Sequence, residues 1–155
     1  MINKKLTSIN KNQIIDLLPH RDPMLLIDNL YNIEPMKSAL GHLKLTTDKF
    51  FLQGHFPRQP VMPGVMIVES FGQAAAALAA YSIDKSEVEI KLVFLMSVQN
   101  ARFRKPVLPP CDLYLQCNVD RIKGKIWRYK GIAYCNGEKM ADAEWMATIV
   151  DRNDK

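Results

Sequence analysis

The sequence predicts an α+β fold in which an antiparallel sheet is wrapped around one long, buried helix. Residues 63–81 are apolar on nearly every side of a helix and carry a single charge, at Glu69, which is typical of a helix buried on most sides. Stretches with strand-like patterns lie both before and after this helix. An Asn136-Gly137 pair, a strong hairpin signal, joins the last two strands. Strands on both sides of one buried helix favour a sheet wrapped around it.

The elements before the central helix are short. Asn12 can cap a first helix, and Pro19 ends it. The long loop before the helix is a functional candidate, because loops of this length inside compact domains are usually functional. The predicted elements are a helix over residues 13–18, strands over residues 24–33 and 38–45, and a loop over residues 46–62.

The elements after the helix are strands. Residues 112–121 alternate apolar and polar side chains, and Trp127 and Tyr129 share one face of the next strand. A sheet of this kind leaves open edges, so a dimer that extends the sheet is expected. The predicted elements are strands over residues 88–103, 112–121, 126–134 and 139–150, and a frayed tail over residues 151–155.

Length and composition predict a single globular domain over residues 1–155. The chain is 48% apolar and 24% charged, as in ordinary soluble proteins. Polar residues run through positions 3–13, so no signal peptide is predicted, and the polar residues inside the central helix argue against membrane insertion. Three cysteines without a C-x-x-C spacing predict free thiols in a reducing cytoplasm.

The formal net charge is +5, which favours an acidic partner. Basic residues concentrate between positions 102 and 130, where only Asp112 and Asp120 oppose them. Solvated strand faces explain this run equally well. Nucleic acid is not the expected partner, because the chain lacks helix-turn-helix, zinc-finger and RNA-binding signatures.

Two side chains near the central helix are candidates for catalysis. Loss of solvation on a buried helix would raise the pKa of Glu69 and keep it protonated near neutral pH, unless that helix face is open to water. His55 lies among Phe51, Phe56 and backbone-restricting residues, and a neutral imidazole there is a good general base. A histidine on a surface loop is the equally favoured alternative for His55.

The start of the central helix completes a possible site. Gly64 offers an unpaired backbone N–H at the positive end of the helix dipole, where a carbonyl oxygen would be polarised. Base, acid and oxyanion donor together fit proton abstraction beside a carbonyl with loss of a β-hydroxyl. We expect His20 to be structural and His42 to be exposed, and three scattered histidines predict no metal site.

Several motifs resemble one known family, the 3-hydroxyacyl-[acyl-carrier-protein] dehydratases of bacterial type II fatty-acid synthesis. The resemblance covers residues 17–147 in the same order. The shared motifs are HRDPMLLID at residues 20–28, GHFP at 54–57, PVMPG at 60–64, Glu69 with Gln73, and NARFRKPV at 100–107. The chain departs from the family pattern at Arg58-Gln59 and at Pro110-Cys111, where the family has glycine-containing turns.

The resemblance implies a hot-dog fold, a homodimer with two active sites at its interface, and a hexamer built as a trimer of dimers. It implies that His55 and Glu69 of a site come from different subunits. His55 would take the C2 proton, Glu69 would protonate the departing hydroxyl, and the Gly64 amide would bind the thioester carbonyl. Gln73 would orient Glu69, and Phe94 would gate the acyl tunnel.

The implied substrate is a (3R)-3-hydroxyacyl chain on the phosphopantetheine arm of acyl carrier protein, an acidic partner, and the product is the trans-2-enoyl thioester. No cofactor is implied. The branch that also isomerises the double bond carries Asp in place of Glu69, so the branch without isomerase activity is expected. A hot-dog acyl thioesterase and a non-catalytic acyl-binding module are the alternatives.

Overall fold

The computed structural model describes residues 1–88 and 91–151 and contains one seven-stranded sheet and one long helix. A 3-10 turn at Phe50–Leu52 lies in the loop before the long helix. The elements in chain order are β1 (Thr7–Asn10), α1 (Lys11–Leu17), β2 (Asn29–Glu34), β3 (Ser38–Leu45), α2 (Gly64–Ser82), α3 (Lys85–Val88), β4 (Lys91–Phe103), β5 (Cys111–Lys123), β6 (Ile126–Cys135) and β7 (Glu138–Asp151).

The strands are arranged in the order β1-β2-β3-β5-β6-β7-β4, and every neighbouring pair is antiparallel. Helix α2 contacts β2 through β7, so the sheet is organised around it. Strand β4 ends the sheet on one side and leaves one of its edges unpaired among the described residues. These features confirm the predicted antiparallel sheet around a central helix.

Helix α2 packs closely against the sheet because its buried side chains are small. Ala74, Ala77 and Ala79 are fully buried, and a Cβ added to Gly41 of β3 would lie only 2.8 Å from the Cβ of Ala74. The backbones of β3 and α2 therefore approach at a distance that only glycine permits. Among the described helices, α2 alone is long and apolar enough to cross a membrane, but 61% of that segment is buried inside the fold.

Aromatic side chains fill the space between α2 and the β6–β7 part of the sheet. The rings of Phe71 and Trp145 stack with centroids 5.2 Å apart, and Trp145 stacks on Tyr129 at 5.5 Å. A Cβ at Gly131 would lie 2.7 Å from atoms of both Phe71 and Trp145. Glycine at this position of β6 is therefore required by packing.

The first helix and the first strands differ from the prediction. Asn10, not Asn12, caps α1, because its side chain accepts from the Gln13 N–H while the Gln13 side chain accepts from the Asn10 N–H. The strand predicted over residues 24–33 starts only at Asn29. Leu25, Leu26 and Ile27 before it are buried, but the Leu26 N–H and the Met24 oxygen bond to a side chain of α2 rather than to a neighbouring strand. Strand β1 was not predicted.

Helix α3 was not predicted either, and its last residue, Val88, is where the strand predicted over residues 88–103 would begin. The other elements agree with the prediction within three residues. The Asn136-Gly137 turn has φ values of 51° and 76°, as a two-residue hairpin of this type requires, so the hairpin is confirmed. The three cysteines are free thiols, as predicted. Residue 151 belongs to β7, whereas positions 152–155 of the predicted tail and positions 89–90 of the predicted strand lie outside the described residues.

Replacing Gly131 by alanine tests the packing around Trp145. We expect Gly131→Ala to lower the free energy of unfolding by about 1–3 kcal/mol, because the methyl group must displace two stacked rings. Gly54→Ala is the matched control, since nothing lies within 4 Å of its added Cβ, and its stability should stay within about 0.5 kcal/mol of the wild type. Urea unfolding measures both, and equal stability of the two variants would contradict this packing.

Candidate active site

His55 is held by its own loop in one defined orientation. Its Nδ1 lies 2.7 Å from the backbone oxygen of Val61, and its ring stacks on Phe56 with centroids 4.2 Å apart. A carbonyl oxygen can only accept a hydrogen bond, so Nδ1 carries the proton in the neutral ring. The lone pair of the neutral imidazole is therefore on Nε2, as a general base requires.

The loop that carries His55 is closed by backbone hydrogen bonds. The Val61 N–H donates to the His55 oxygen at 2.8 Å, and Phe56 and Gln59 exchange N–H donors between them. The next residue, Met62, donates to the Val107 oxygen at 2.9 Å. These bonds fix the loop to the segment that follows β4, so the imidazole stands on a rigid support.

A cavity of about 310 Å³ joins His55 to the start of α2. Its lining includes Gly64, Phe103 and Lys105. Within the described part of the chain, the Gly64 N–H makes no hydrogen bond, as expected in the first turn of a helix. A Cβ at Gly64 would lie 2.9 Å from the ring of Phe103, so only glycine leaves this backbone open to the cavity.

Glu69 lies one and a half helical turns further along α2, in a different cavity. Its side chain is 34% exposed, and Gln73 Nε2 donates to its Oε1 at 2.8 Å. The imidazole of His20 holds the pKa of Glu69 below its ordinary value. Gln73 acts in the same direction, while partial burial opposes both. The prediction of a raised pKa is therefore wrong for this chain, because two donors stabilise the carboxylate more than burial destabilises it.

Gln73 uses its whole amide group to connect α2 with the loop before β2. Its Nε2 also donates to the Met24 oxygen at 2.7 Å, and its Oε1 accepts from the Leu26 N–H at 2.8 Å. The side chain is buried, with 1% of the residue exposed. Gln73 is thus hydrogen-bonded to Glu69, as its expected orienting role requires, and it also holds the loop that carries His20.

His20 was expected to be structural, but it contacts a candidate catalytic residue. Its Nε2 lies 3.5 Å from Glu69 Oε1. Sequence spacing could not reveal this contact, because 49 positions separate the two residues. The signals in the sequence were the family-like motif at residues 20–28, which begins with His20, and the polar turn at residues 20–22 next to a buried apolar stretch.

In the part of the chain that the structure describes, His55 and Glu69 line two separate cavities. The cavity of Glu69 has a volume of about 80 Å³ and shares no lining residue with the cavity of His55. Gly64 and Glu69 are five residues apart on α2, so the two positions lie about 140° apart around the helix axis. The lining residues of the Glu69 cavity include His20, Gln73, Ala76 and Val93.

Phe94 lies outside both cavities. It belongs to β4, at the sheet edge, and it is 53% exposed. Its neighbours Val93 and Leu95 line the Glu69 cavity, so Phe94 projects from the opposite face of the strand. Within one chain, Phe94 therefore does not reach the candidate acid.

His42 was expected to be exposed, and this prediction is wrong. The residue is only 9% exposed, because Tyr114 stacks on its ring at 5.1 Å and Asp112 Oδ1 lies 2.7 Å from its Nε2. The polar residues next to His42 in the sequence predicted a solvated strand face. In the sheet, residues of a neighbouring strand cover that face. His42 lies in neither candidate cavity.

Most basic residues between positions 102 and 130 are held in ion pairs. Acidic residues of β7 supply partners that lie far away in sequence, as in the Arg104–Asp142 pair at 2.7 Å and the Arg128–Glu144 pair at 2.8 Å. The surface is therefore less basic than the sequence run indicates. Residues 1–88 and 91–151 contain no group of three His, Cys, Asp or Glu side chains arranged to hold a metal ion.

Comparison with solved structures identifies the architecture. The chain resembles the dehydratase heterocomplex ApeI:P from Xenorhabdus doucetiae with a TM-score of 0.75 at 18% identity, covering 87% of this chain and 89% of that one. It also resembles a thioesterase superfamily member from Thermus thermophilus, with a TM-score of 0.62 at 16% identity, over 77% and 85% of the two chains. The fold is the hot-dog fold.

Sequence comparison identifies the family. The FabA-like domain matches residues 18–144. The chain is 46% identical to the 3-hydroxyacyl-[acyl-carrier-protein] dehydratase FabZ of Anaeromyxobacter sp. (strain K), over 88% of this chain and 87% of that one. It is 45% identical to the FabZ of Myxococcus xanthus over 91% and 92% of the two chains. The chain therefore belongs to the FabA-like family, among its FabZ dehydratases.

Replacing Gln73 by leucine tests the connection between α2 and the loop before β2. Gln73→Leu leaves the buried Leu26 N–H and the Met24 oxygen unpaired, so we expect a loss of about 1–3 kcal/mol in stability for each group. Gln116→Leu is the matched control, because its amide bonds only to Asn118 at the surface. Thermal and urea unfolding compare the two, and a Gln73→Leu protein as stable as its control would contradict the proposed connection.

Proposed function

We propose that this chain dehydrates (3R)-3-hydroxyacyl chains on acyl carrier protein to trans-2-enoyl chains during fatty-acid elongation. The observation that carries this proposal is one cavity that combines His55, whose Nδ1 is bonded to the Val61 oxygen and whose Nε2 is therefore the basic atom of the neutral ring, with the unbonded N–H of Gly64. The relatives are named dehydratases of such substrates, which supports the same reaction.

The first half of the reaction needs a base and a polarised carbonyl. His55 Nε2 takes the proton from C2 of the substrate, and the Gly64 N–H binds the thioester oxygen as negative charge develops there. The positive end of the α2 dipole adds to this stabilisation. The ring of Phe103 lies beside Gly64 and lines the same cavity.

The second half needs a group that protonates the departing hydroxyl. We assign this role to Glu69 of a neighbouring subunit, because Glu69 and His55 of one chain lie in separate cavities. In the reverse reaction, the ionised Glu69 takes a proton from water as the oxygen bonds to C3, and protonated His55 returns a proton to C2. The lowered pKa of Glu69 suits this hydration step.

Strand β4 is the edge through which we expect two copies to pair. Phe94, Leu95 and Met96 are each at least half exposed on this edge strand, although they are large and apolar. Such an edge favours association with a second copy that continues the sheet. In that dimer, Phe94 can gate the acyl tunnel of the neighbouring subunit. Three such dimers would form the expected hexamer.

The acyl chain would follow the apolar surface of α2 beyond Glu69. A third cavity, smaller than the other two, shares Ala76, Val93 and His20 with the Glu69 cavity. It continues towards Ala80 and Ile149. The acidic carrier protein would bind near the His55 cavity, where it would compete with Asp142 and Glu138 for the lining residues Arg104 and Lys105. We expect the enzyme to act in the cytoplasm. Its single domain should carry out the reaction without a cofactor. Glu69 in place of Asp favours dehydration without isomerisation.

The proposal is tested by measuring the hydration of a crotonyl thioester, which is monitored as a loss of enoyl absorbance. His55→Ala and Glu69→Gln should each lower the rate by about 10²–10⁴-fold, because each removes one proton-transfer group. Gln116→Leu should keep the wild-type rate. Circular dichroism should show that all three proteins are folded.

The same assay separates the alternatives. A thioesterase would release free thiol from the substrate, which a thiol reagent detects, and the dehydratase would not. A folded wild-type protein without hydration activity, or a His55→Ala variant with full activity, would contradict the proposed function.

A further inference from the structure

We propose that His20 is a positioning residue for the acid, holding one oxygen of Glu69 so that the other oxygen alone exchanges protons with the substrate. This inference rests on the proposed role of Glu69. It adds a third side chain to the site and identifies the working oxygen as Oε2.

The contacts that the described residues make with the carboxylate are all on one oxygen. Gln73 Nε2 lies 2.8 Å from Oε1, and His20 Nε2 lies 3.5 Å from the same atom. Among the described residues, Oε2 receives no hydrogen bond. The carboxylate is thus anchored through Oε1, and Oε2 is left for the substrate hydroxyl or for water.

The protonation of His20 follows from its surroundings. Its Nδ1 is buried and has no hydrogen-bond partner among residues 1–88 and 91–151. A proton on Nδ1 would be a buried donor without an acceptor, which is costly. The proton of the neutral ring is therefore on Nε2, which faces Glu69 and can donate to it. The 3.5 Å separation is long, as catalytic hydrogen bonds often are before substrate binds.

The position of His20 is fixed from outside the site. Arg21 donates to the Leu18 oxygen at 2.8 Å and to the His20 oxygen at 2.7 Å, which holds the backbone of the turn. Gln73 fixes the other end of the same loop through Met24 and Leu26. Gln73 therefore contacts the acid directly and holds the loop that presents the second donor.

Among the described residues of this chain, His20 is the one titratable neighbour that acts on Glu69. The other lining residues of the cavity are apolar or uncharged. In the proposed dimer, His55 of the partner subunit faces the same carboxylate. Both His20 and Gln73 lower the pKa of Glu69, and burial raises it. Removing His20 therefore moves that pKa upward.

The pH dependence of crotonyl-thioester hydration tests the proposal. Hydration needs ionised Glu69, so its rate falls on the acid side as Glu69 becomes protonated. With His20→Ala, the acid limb of kcat/KM should shift to higher pH, so the ratio of wild-type to variant rate should grow as the pH falls towards and below the ordinary glutamate pKa of about 4.3. His20→Gln keeps a neutral N–H donor and should restore the wild-type profile.

Two results would overturn the proposal. One is a His20→Ala profile that is unchanged, or lowered by the same factor at every pH, as a purely structural role would produce. The other is a His20→Gln profile shifted as far as that of His20→Ala. Asp22→Asn is the control for the loop, because Asp22 is exposed and contacts Lys11 rather than Glu69, and its profile should match the wild type.

A second measurement does not depend on turnover. Titration of the Glu69 carboxyl carbon by NMR, assigned with Glu69→Gln, should give a higher midpoint in His20→Ala than in the wild type. Equal midpoints would contradict the role of His20 even in a protein without activity. A raised midpoint in a protein that does not hydrate crotonyl thioester would instead contradict only the proposed function.

Discussion

The structure depends on the burial of one slim helix. α2 is apolar around most of its surface, so it is stable only where a sheet covers it, and its alanines let the strands approach closely. The same constraint places the chemistry. The first turn of α2 opens into one cavity at Gly64, and Glu69 opens into another on a different side of the helix. The sheet edge at β4 stays apolar and exposed beside the acid.

Much of this arrangement could be predicted from residue patterns. The run of apolar residues around Glu69 predicted the central helix, and Asn136-Gly137 predicted a hairpin because few other pairs tolerate two positive φ values. The apolar stretch before β2 was misassigned, because a pattern cannot tell a buried strand from a buried loop whose backbone is satisfied by Gln73. The environment of His42 was missed because cross-strand neighbours are distant in sequence.

The candidate site also has features that the sequence predicts and features that it does not. His55, Gly64 and Glu69 are candidates from the sequence because glycine, proline and charge interrupt an apolar context. The pKa of Glu69 and the contact with His20 could not be predicted, since both depend on a donor that folding brings from 49 positions away. A lone buried carboxylate is expected to be protonated, but a carboxylate with two donors stays ionised. The expected role of Phe94, gating of the acyl tunnel, needs a second subunit.

The central claim is that a working site combines His55 of one subunit with Glu69 of another. Mixing inactive His55→Ala and Glu69→Gln subunits under conditions that exchange them tests this claim directly. Each mixed dimer then contains one site with both native groups, so hydration activity should return to up to about half of the wild-type value per mixed dimer. If both groups came from the same chain, every site would lack one of them. A mixture with confirmed subunit exchange that stays inactive would contradict the claim.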